Sequence, residues 1–98
     1  MFIIDINYTV SLEEVNKYME AHAAYLKKYT EQSVFLISGK KVPWTGGILV
    51  ANAGSKEEAE RIVAEDPFHQ NKVAEMTITE FLHARHNRVL DGLLGESV

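Results

Sequence analysis

The sequence predicts an α+β fold in which a four-stranded antiparallel sheet carries two helices on one face. Segments with strand patterns and segments with helical periodicity follow one another in the order strand, helix, strand, strand, helix, strand. Each helix begins at a serine with a glutamate three residues later, Ser11 with Glu14 and Ser55 with Glu58, which is the pattern of a capping box. This order of elements is the split βαβ, or ferredoxin-like, arrangement.

The composition is that of one globular domain. The chain has 98 residues, enough for a single hydrophobic core, and its lack of cysteine excludes disulfides, thiol nucleophiles and thiolate metal sites. A formal charge of −4 argues against nucleic acid as a partner. No apolar run approaches the roughly 20 residues of a membrane helix. The first residues lack the basic segment of a signal peptide, so we expect a cytoplasmic protein without membrane contacts.

The first strand and the first helix have clear patterns. Phe2, Ile4 and Ile6 share one face of a strand over residues 2–7. Residues 12–29 are predicted to form one helix, because six side chains recur at steps of three and four and therefore share a face. These are Leu12, Val15, Met19, His22, Leu26 and Tyr29.

The middle of the chain predicts a hairpin. Residues 33–38 and 47–52 are short apolar runs, separated by a loop over residues 39–46. Gly46 and Gly47 match no phosphate-binding loop and indicate backbone freedom where the third strand begins.

The second helix follows Ser55 and ends before Pro67, since the residue before a proline is displaced from the helical region. Residues 68–72 predict a turn or one helical turn, and residues 73–81 alternate as the fourth strand. We assign residues 1–82 to the α+β domain and 83–98 to a C-terminal tail. This tail is predicted to be helical over 83–94, where Val89, Leu90, Leu93 and Leu94 cluster.

The second and third strands are apolar on both faces, whereas helices cover only one face of the predicted sheet. A monomer rarely exposes a large apolar patch. We therefore expect a second copy to cover the open face in a symmetric homodimer. The alternative is that the C-terminal tail folds back over it.

His22 is the first candidate functional residue, because imidazole in an otherwise apolar stripe can exchange a proton near neutral pH. The alternative is a core histidine with both ring nitrogens hydrogen-bonded and inert. Asp66 lies where the second helix must end, so its carboxylate could orient an imidazole. Alternatively, it only closes the turn before Pro67.

Three further residues are candidates for substrate contacts: Trp44 in the hairpin loop, Asp5 in the first strand and His69 close to Asp66. Trp44 could instead insert into a partner subunit. His83 and His86 are three residues apart, but they lack a third ligand, so we expect no metal site there. We also expect no organic cofactor.

Four segments, in this order, resemble the YciI-like family. They are Glu-Ala-His-Ala-Ala-Tyr-Leu at 20–26, Ser-Gly at 38–39, Thr-Gly-Gly-Ile-Leu at 45–49 and Glu-Asp-Pro-Phe at 65–68. The resemblance extends from Met1 to Phe81. It departs at Trp44, where related sequences often carry a basic residue, and no family pattern applies beyond Phe81.

The resemblance implies a dimeric α+β barrel with an active site of one histidine and one aspartate, which match His22 and Asp66. One branch of the family resembles dehydrochlorinases of aromatic degradation. We therefore predict a cofactor-independent enzyme that moves a proton on a small cyclic or carbonyl-bearing molecule. The competing hypothesis is a non-catalytic dimeric module that binds a ligand or serves a structural role.

Overall fold

The computed structural model describes residues 1–95, so residues 96–98 of the assigned tail lie outside the described residues. The chain forms one antiparallel sheet of β1 (Phe2–Tyr8), β2 (Phe35–Lys40), β3 (Gly46–Ala51) and β4 (Ala74–Glu80). Its spatial order is β2-β3-β1-β4. The predicted α+β, ferredoxin-like fold is confirmed, with strand ends shifted by at most two residues.

The helices are α1 (Leu12–Asn16), α2 (Met19–Glu31), α3 (Lys56–Ala64), α4 (Pro67–Gln70) and α5 (Asp91–Leu94). The side chains of Phe2, Ile4 and Ile6 form the sheet side of the core. The helices contribute apolar side chains from α1 to α4 to the same cluster, which are Val15, Tyr25, Tyr29, Ala59, Ile62, Val63 and Phe68. The helices therefore cover the sheet face that carries Phe2, Ile4 and Ile6, which is the face that the alternation of β1 predicted to be buried.

The single helix predicted over residues 12–29 is wrong, because the chain breaks between α1 and α2. Lys17 and Tyr18 donate their backbone N–H groups to the carbonyls of Glu14 and Val15, three residues back, and Tyr18 leaves the helical region at φ −113° and ψ 6°. Such a tight turn changes the phase of the helix. As a result Leu12 is exposed, whereas Tyr25, which is outside the predicted stripe, is buried.

The tail is helical over only part of the predicted range. Residues 83–87 have no regular structure, and a 3₁₀ turn at Arg88–Leu90 leads into α5. Asn87 begins this turn by accepting a hydrogen bond from the Val89 N–H at 2.9 Å. The apolar cluster of the tail does not form a second core, since Val89 is 88% exposed.

The sheet face opposite the helices carries apolar side chains. Ile37 is 65% exposed and pairs in register with Val50, and Val50 and Ile48 are half-buried. Leu49 and Ala51, which alternate with them, are buried on the helix side. Among the helices of residues 1–95, none is long and apolar enough to cross a membrane.

Candidate active site

His22 and Asp66 meet in the core of the domain. The Nδ1 atom of His22, one turn into α2, lies 2.8 Å from Oδ1 of Asp66, although the two residues are 44 positions apart. His22 is 8% exposed and Asp66 is 2% exposed. A buried carboxylate needs hydrogen-bond donors, and the imidazole supplies one of them.

The backbone around Pro67 explains why Asp66 faces His22. Asp66 has extended dihedrals (φ −63°, ψ 124°), as the residue before a proline prefers, and Pro67 takes the first position of α4. Its Oδ1 atom accepts the Phe68 N–H at 2.9 Å and thereby caps the helix. The carboxylate therefore both closes the turn and contacts the imidazole, so the two alternatives for Asp66 are compatible.

The contact with Asp66 defines the tautomer of His22. A carboxylate oxygen only accepts hydrogen bonds, so Nδ1 carries a proton, and in the neutral imidazole Nε2 is therefore the nitrogen with the lone pair. Nothing within residues 1–95 hydrogen-bonds to Nε2, and no fully buried side-chain nitrogen or oxygen in that range lacks a partner. Because Nε2 has no partner there, it is not one of the fully buried atoms and remains accessible.

Aromatic side chains hold the imidazole plane. The Phe68 ring is fully buried and stacks on His22 with centroids 3.9 Å apart and planes tilted by 8°. Tyr25 packs nearby and donates its hydroxyl to the Ile62 carbonyl at 2.7 Å. Burial, assisted by the charge of Asp66, raises the pKa of Tyr25 well above its usual range, so its hydroxyl remains a donor.

A cavity of about 230 Å³ lies between α2 and the edge of the sheet formed by β2 and β3. Its side-chain polar groups come from His22, Tyr8, Ser38 and Lys40, and among residues 1–95 no aspartate or glutamate lines it. The other lining residues are apolar or glycine, namely Ile6, Met19, Ala23, Leu26, Gly39, Gly46, Gly47, Ile48, Leu49 and Phe68. This is the combination of apolar wall and few polar groups that small-molecule sites share.

Tyr8 and Gly46 shape this cavity. The Tyr8 hydroxyl accepts a hydrogen bond from Nε1 of Trp44 at 3.0 Å, and burial raises the pKa of Tyr8. Gly46 lies against β1, where a Cβ atom would collide with the Ile6 carbonyl oxygen. The sequence predicted backbone freedom at this glycine, and the structure shows that it is required for close approach of two strands.

The other candidate residues lie outside the cavity. Trp44 does not line the cavity but is hydrogen-bonded to Tyr8, which does. Asp5 lies on the opposite face of the sheet and forms an ion pair with Lys41. His69 is exposed and borders a separate surface depression with Lys72. The structure thus brings together His22 and Asp66, and separates them from Asp5 and His69.

The sequence patterns did not identify three residues of the site: Tyr8, Lys40 and Phe68. Tyr8 had a usable signal, since it continues the alternation of Phe2, Ile4 and Ile6 onto the helix-facing side. Lys40 and Phe68 had none, because their positions depend on how the sheet edge and α4 pack against α2.

The histidines of the tail contact one another. His83 Nε2 lies 2.8 Å from His86 Nδ1, and His86 Nε2 lies 2.8 Å from Asp91 Oδ1. Within residues 1–95, no group of three or more histidine, cysteine, aspartate or glutamate side chains is arranged to hold a metal ion.

Fold and site together define a small α+β protein with a histidine–carboxylate pair beside an apolar cavity. Its sequence matches the model of the YCII-related domain over residues 1–82, and the chain belongs to this family. The fold is also that of 5-chloro-2-hydroxyhydroquinone dehydrochlorinase (TftG) from Burkholderia phenoliruptrix, solved in complex with 2,5-dihydroxybenzoquinone. The two share 21% identity with a TM-score of 0.70, over 85% of this chain and 95% of that chain. No curated protein sequence matches the chain.

Proposed function

We propose that this protein is a small-molecule enzyme in which His22 acts as a general acid/base. The observation that carries the proposal is the 2.8 Å contact between Nδ1 and Asp66, with Nε2 left unpaired within residues 1–95. In this arrangement Nε2 accepts a proton from the substrate and later returns it. Asp66 keeps Nδ1 protonated and stabilises the imidazolium that forms.

The cavity suggests the size and polarity of the substrate. An apolar cavity of about 150 Å³ accommodates benzene, so the cavity of about 230 Å³ fits one substituted ring or a molecule of similar size. The Tyr8 hydroxyl accepts from Trp44, which leaves its own proton for a substrate oxygen. These features favour a cyclic or carbonyl-bearing substrate, and proton transfer to Nε2 requires no cofactor.

The structural relative suggests which reactions to test first. TftG, which shares the fold, is named as a dehydrochlorinase and was solved with a quinone. An elimination of that kind needs a base that removes a proton from the substrate, and His22 is placed for this role. For this chain we therefore propose proton transfer on a ring, with or without loss of a leaving group.

We also propose that the protein works as a homodimer through the open face of the sheet. The support is the run of apolar side chains on that face, with Ile37 65% exposed and Ile48 and Val50 half-buried. Covering such side chains with the same surface of a second copy would remove them from water and give a symmetric pair.

Proton exchange in D₂O tests the catalytic proposal without knowledge of the full reaction. The assay incubates the protein with a panel of one-ring phenols, enols and cyclic ketones and follows the loss of exchangeable C–H signals by NMR. We expect wild-type protein to accelerate exchange for at least one compound. Since general acid/base catalysis contributes about 10²- to 10⁴-fold, His22→Gln should lower the rate by at least about a hundredfold.

His69→Gln is the matched control, because His69 is exposed and lies outside the cavity. This variant should exchange protons at the wild-type rate. Equal rates for the wild type and His22→Gln would contradict the proposal. A compound that binds in the cavity without exchange or elimination would favour the non-catalytic ligand-binding module instead.

A further inference from the structure

The charge distribution of the cavity is one-sided. Within the described residues 1–95, Lys40 is the only lysine or arginine that lines the cavity, and no aspartate or glutamate lines it. The carboxylate of Asp66 contacts His22, which lines the cavity, but Asp66 itself is 2% exposed and is not a lining residue. Its Oδ1 atom accepts hydrogen bonds from the imidazole and from the Phe68 N–H, and Asp66 is not among the residues that line the cavity, whereas Lys40 is.

Lys40 is held at the cavity by aromatic contacts. It ends β2, where it pairs in register with Gly47, and its Nζ lies 4.0 Å from the centroid of the Trp44 ring. Trp44 is in turn hydrogen-bonded to Tyr8, which lines the cavity. The face of an aromatic ring attracts and so orients a cation, but it supplies no negative counter-charge.

The next residue provides a direct contrast. Lys41 donates to the Asn7 side chain at 2.6 Å and forms an ion pair with Asp5, on the sheet face away from the cavity. Lys40 has no carboxylate within ion-pair distance in residues 1–95. Two adjacent lysines therefore have different environments, because successive side chains leave a strand on opposite faces.

We propose that Lys40 is the anion-binding residue of the cavity and that the physiological ligand is a small organic oxyanion with one ring. The oxyanion binds Nζ of Lys40 at the cavity mouth, and the apolar ring fills the space towards Phe68 and Leu26. The assignment of the reactive end to Nε2 of His22 rests on the proposed function. The binding of the oxyanion to Lys40 is independent of it.

Two probes of the same shape test the charge preference: benzoate and its neutral isostere benzamide. Binding is measured by NMR titration of the labelled protein, with the amides of Gly46 and Gly47 reporting on the cavity wall. A hydrogen bond to a charged group that is partly exposed to water is worth about a tenfold difference in affinity. We expect benzoate to bind the wild type at least about tenfold more tightly than benzamide, with a preference that weakens as salt is added.

Lys40→Met should abolish this preference, whereas Lys41→Met should retain it. Methionine keeps the unbranched stem of lysine and removes only the charge, and Lys41 is a matched control of the same type at the adjacent position. Equal affinity for the two probes, absence of benzoate binding at millimolar concentration, or equal losses in both variants would overturn the assignment of Lys40.

The binding test and the exchange test can fail separately. Benzoate carries no proton that must move for it to bind, so the binding test does not depend on the acid/base role of His22. A clear preference without any proton exchange would support Lys40 and contradict the proposed function. Proton exchange with no preference for the anion would support the proposed function and contradict the assignment of Lys40.

Discussion

Replacing Asp66 by alanine should destabilise the domain more than the loss of a helix cap alone. The substitution removes the acceptor of the Phe68 N–H and leaves the Nδ1–H of His22 without its partner. Loss of an N-cap costs about 1 kcal/mol, and an unsatisfied donor in a buried site costs about 1 to 3 kcal/mol. We therefore expect the free energy of unfolding to fall by about 2 to 4 kcal/mol.

Urea denaturation followed by circular dichroism gives this quantity. A 98-residue domain has a free energy of unfolding of about 5 to 15 kcal/mol, so the variant should still fold and allow a two-state fit. Ser55→Ala is the control, because Ser55 caps α3 through the Glu58 N–H at 3.1 Å and has no imidazole partner. This control should cost only about 1 kcal/mol.

A double-mutant cycle separates the imidazole contact from the cap. His22→Leu removes the ring and fills much of its volume, and the double variant with Asp66→Ala completes the cycle. Residues in direct hydrogen-bond contact should be non-additive by about 1 kcal/mol or more. Additive effects, together with an Asp66→Ala cost no larger than that of Ser55→Ala, would refute the contact and with it the tautomer assigned to His22.

Two further predictions concern tyrosine ionisation and assembly. The raised pKa of Tyr25 means that its stabilising contribution is complete below the unfolded pKa of about 10 and is lost as pH rises further. Tyr25→Phe should therefore cost about 1 kcal/mol at neutral pH, through the unpaired Ile62 carbonyl, and reduce the alkaline loss of stability. Tyr18→Phe is the control and should change neither the stability at neutral pH nor its loss at alkaline pH. An unchanged alkaline loss of stability in Tyr25→Phe would contradict the role assigned to Tyr25. The proposed dimer can be tested by analytical ultracentrifugation at micromolar concentration. Ile37→Glu should dissociate the dimer, whereas Val42→Glu, in the exposed hairpin loop, should not. A monomeric wild-type protein would contradict the proposed dimer.

The helical boundaries show how far local patterns determine structure. The capping serines Ser11 and Ser55 begin helices as predicted, because a cap is a contact within four residues of the chain. The break at Tyr18 was missed, since the stripe of residues 12–29 fits one continuous helix as well as two helices with a tight turn between them. In the arrangement with two helices, α1 and α2, Tyr25 packs into the core, and this packing depends on the whole domain.

The candidate site shows the same division. His22 and Asp66 could be selected from the sequence, the first by its place in an apolar stripe and the second by its place before Pro67. Whether they meet depended on the relative stagger of α2 and α4, which no local pattern encodes. Asp5 and His69 carry the same kinds of side chain as the residues of the site, but Asp5 lies on the opposite face of the sheet and His69 lies on the exposed surface of α4.

The sequence by itself determined the order of strands and helices, the buried face of β1 and the two residues best suited to acid/base chemistry. These follow from alternation, caps and side-chain chemistry, which act over a few residues. Only the tertiary structure placed His22 against Asp66 across 44 positions and put Lys40 at the cavity while Lys41 faced away. Such placements arise because a close-packed core can be filled in only a few ways. Packing of the core therefore brings together side chains that are distant in the sequence.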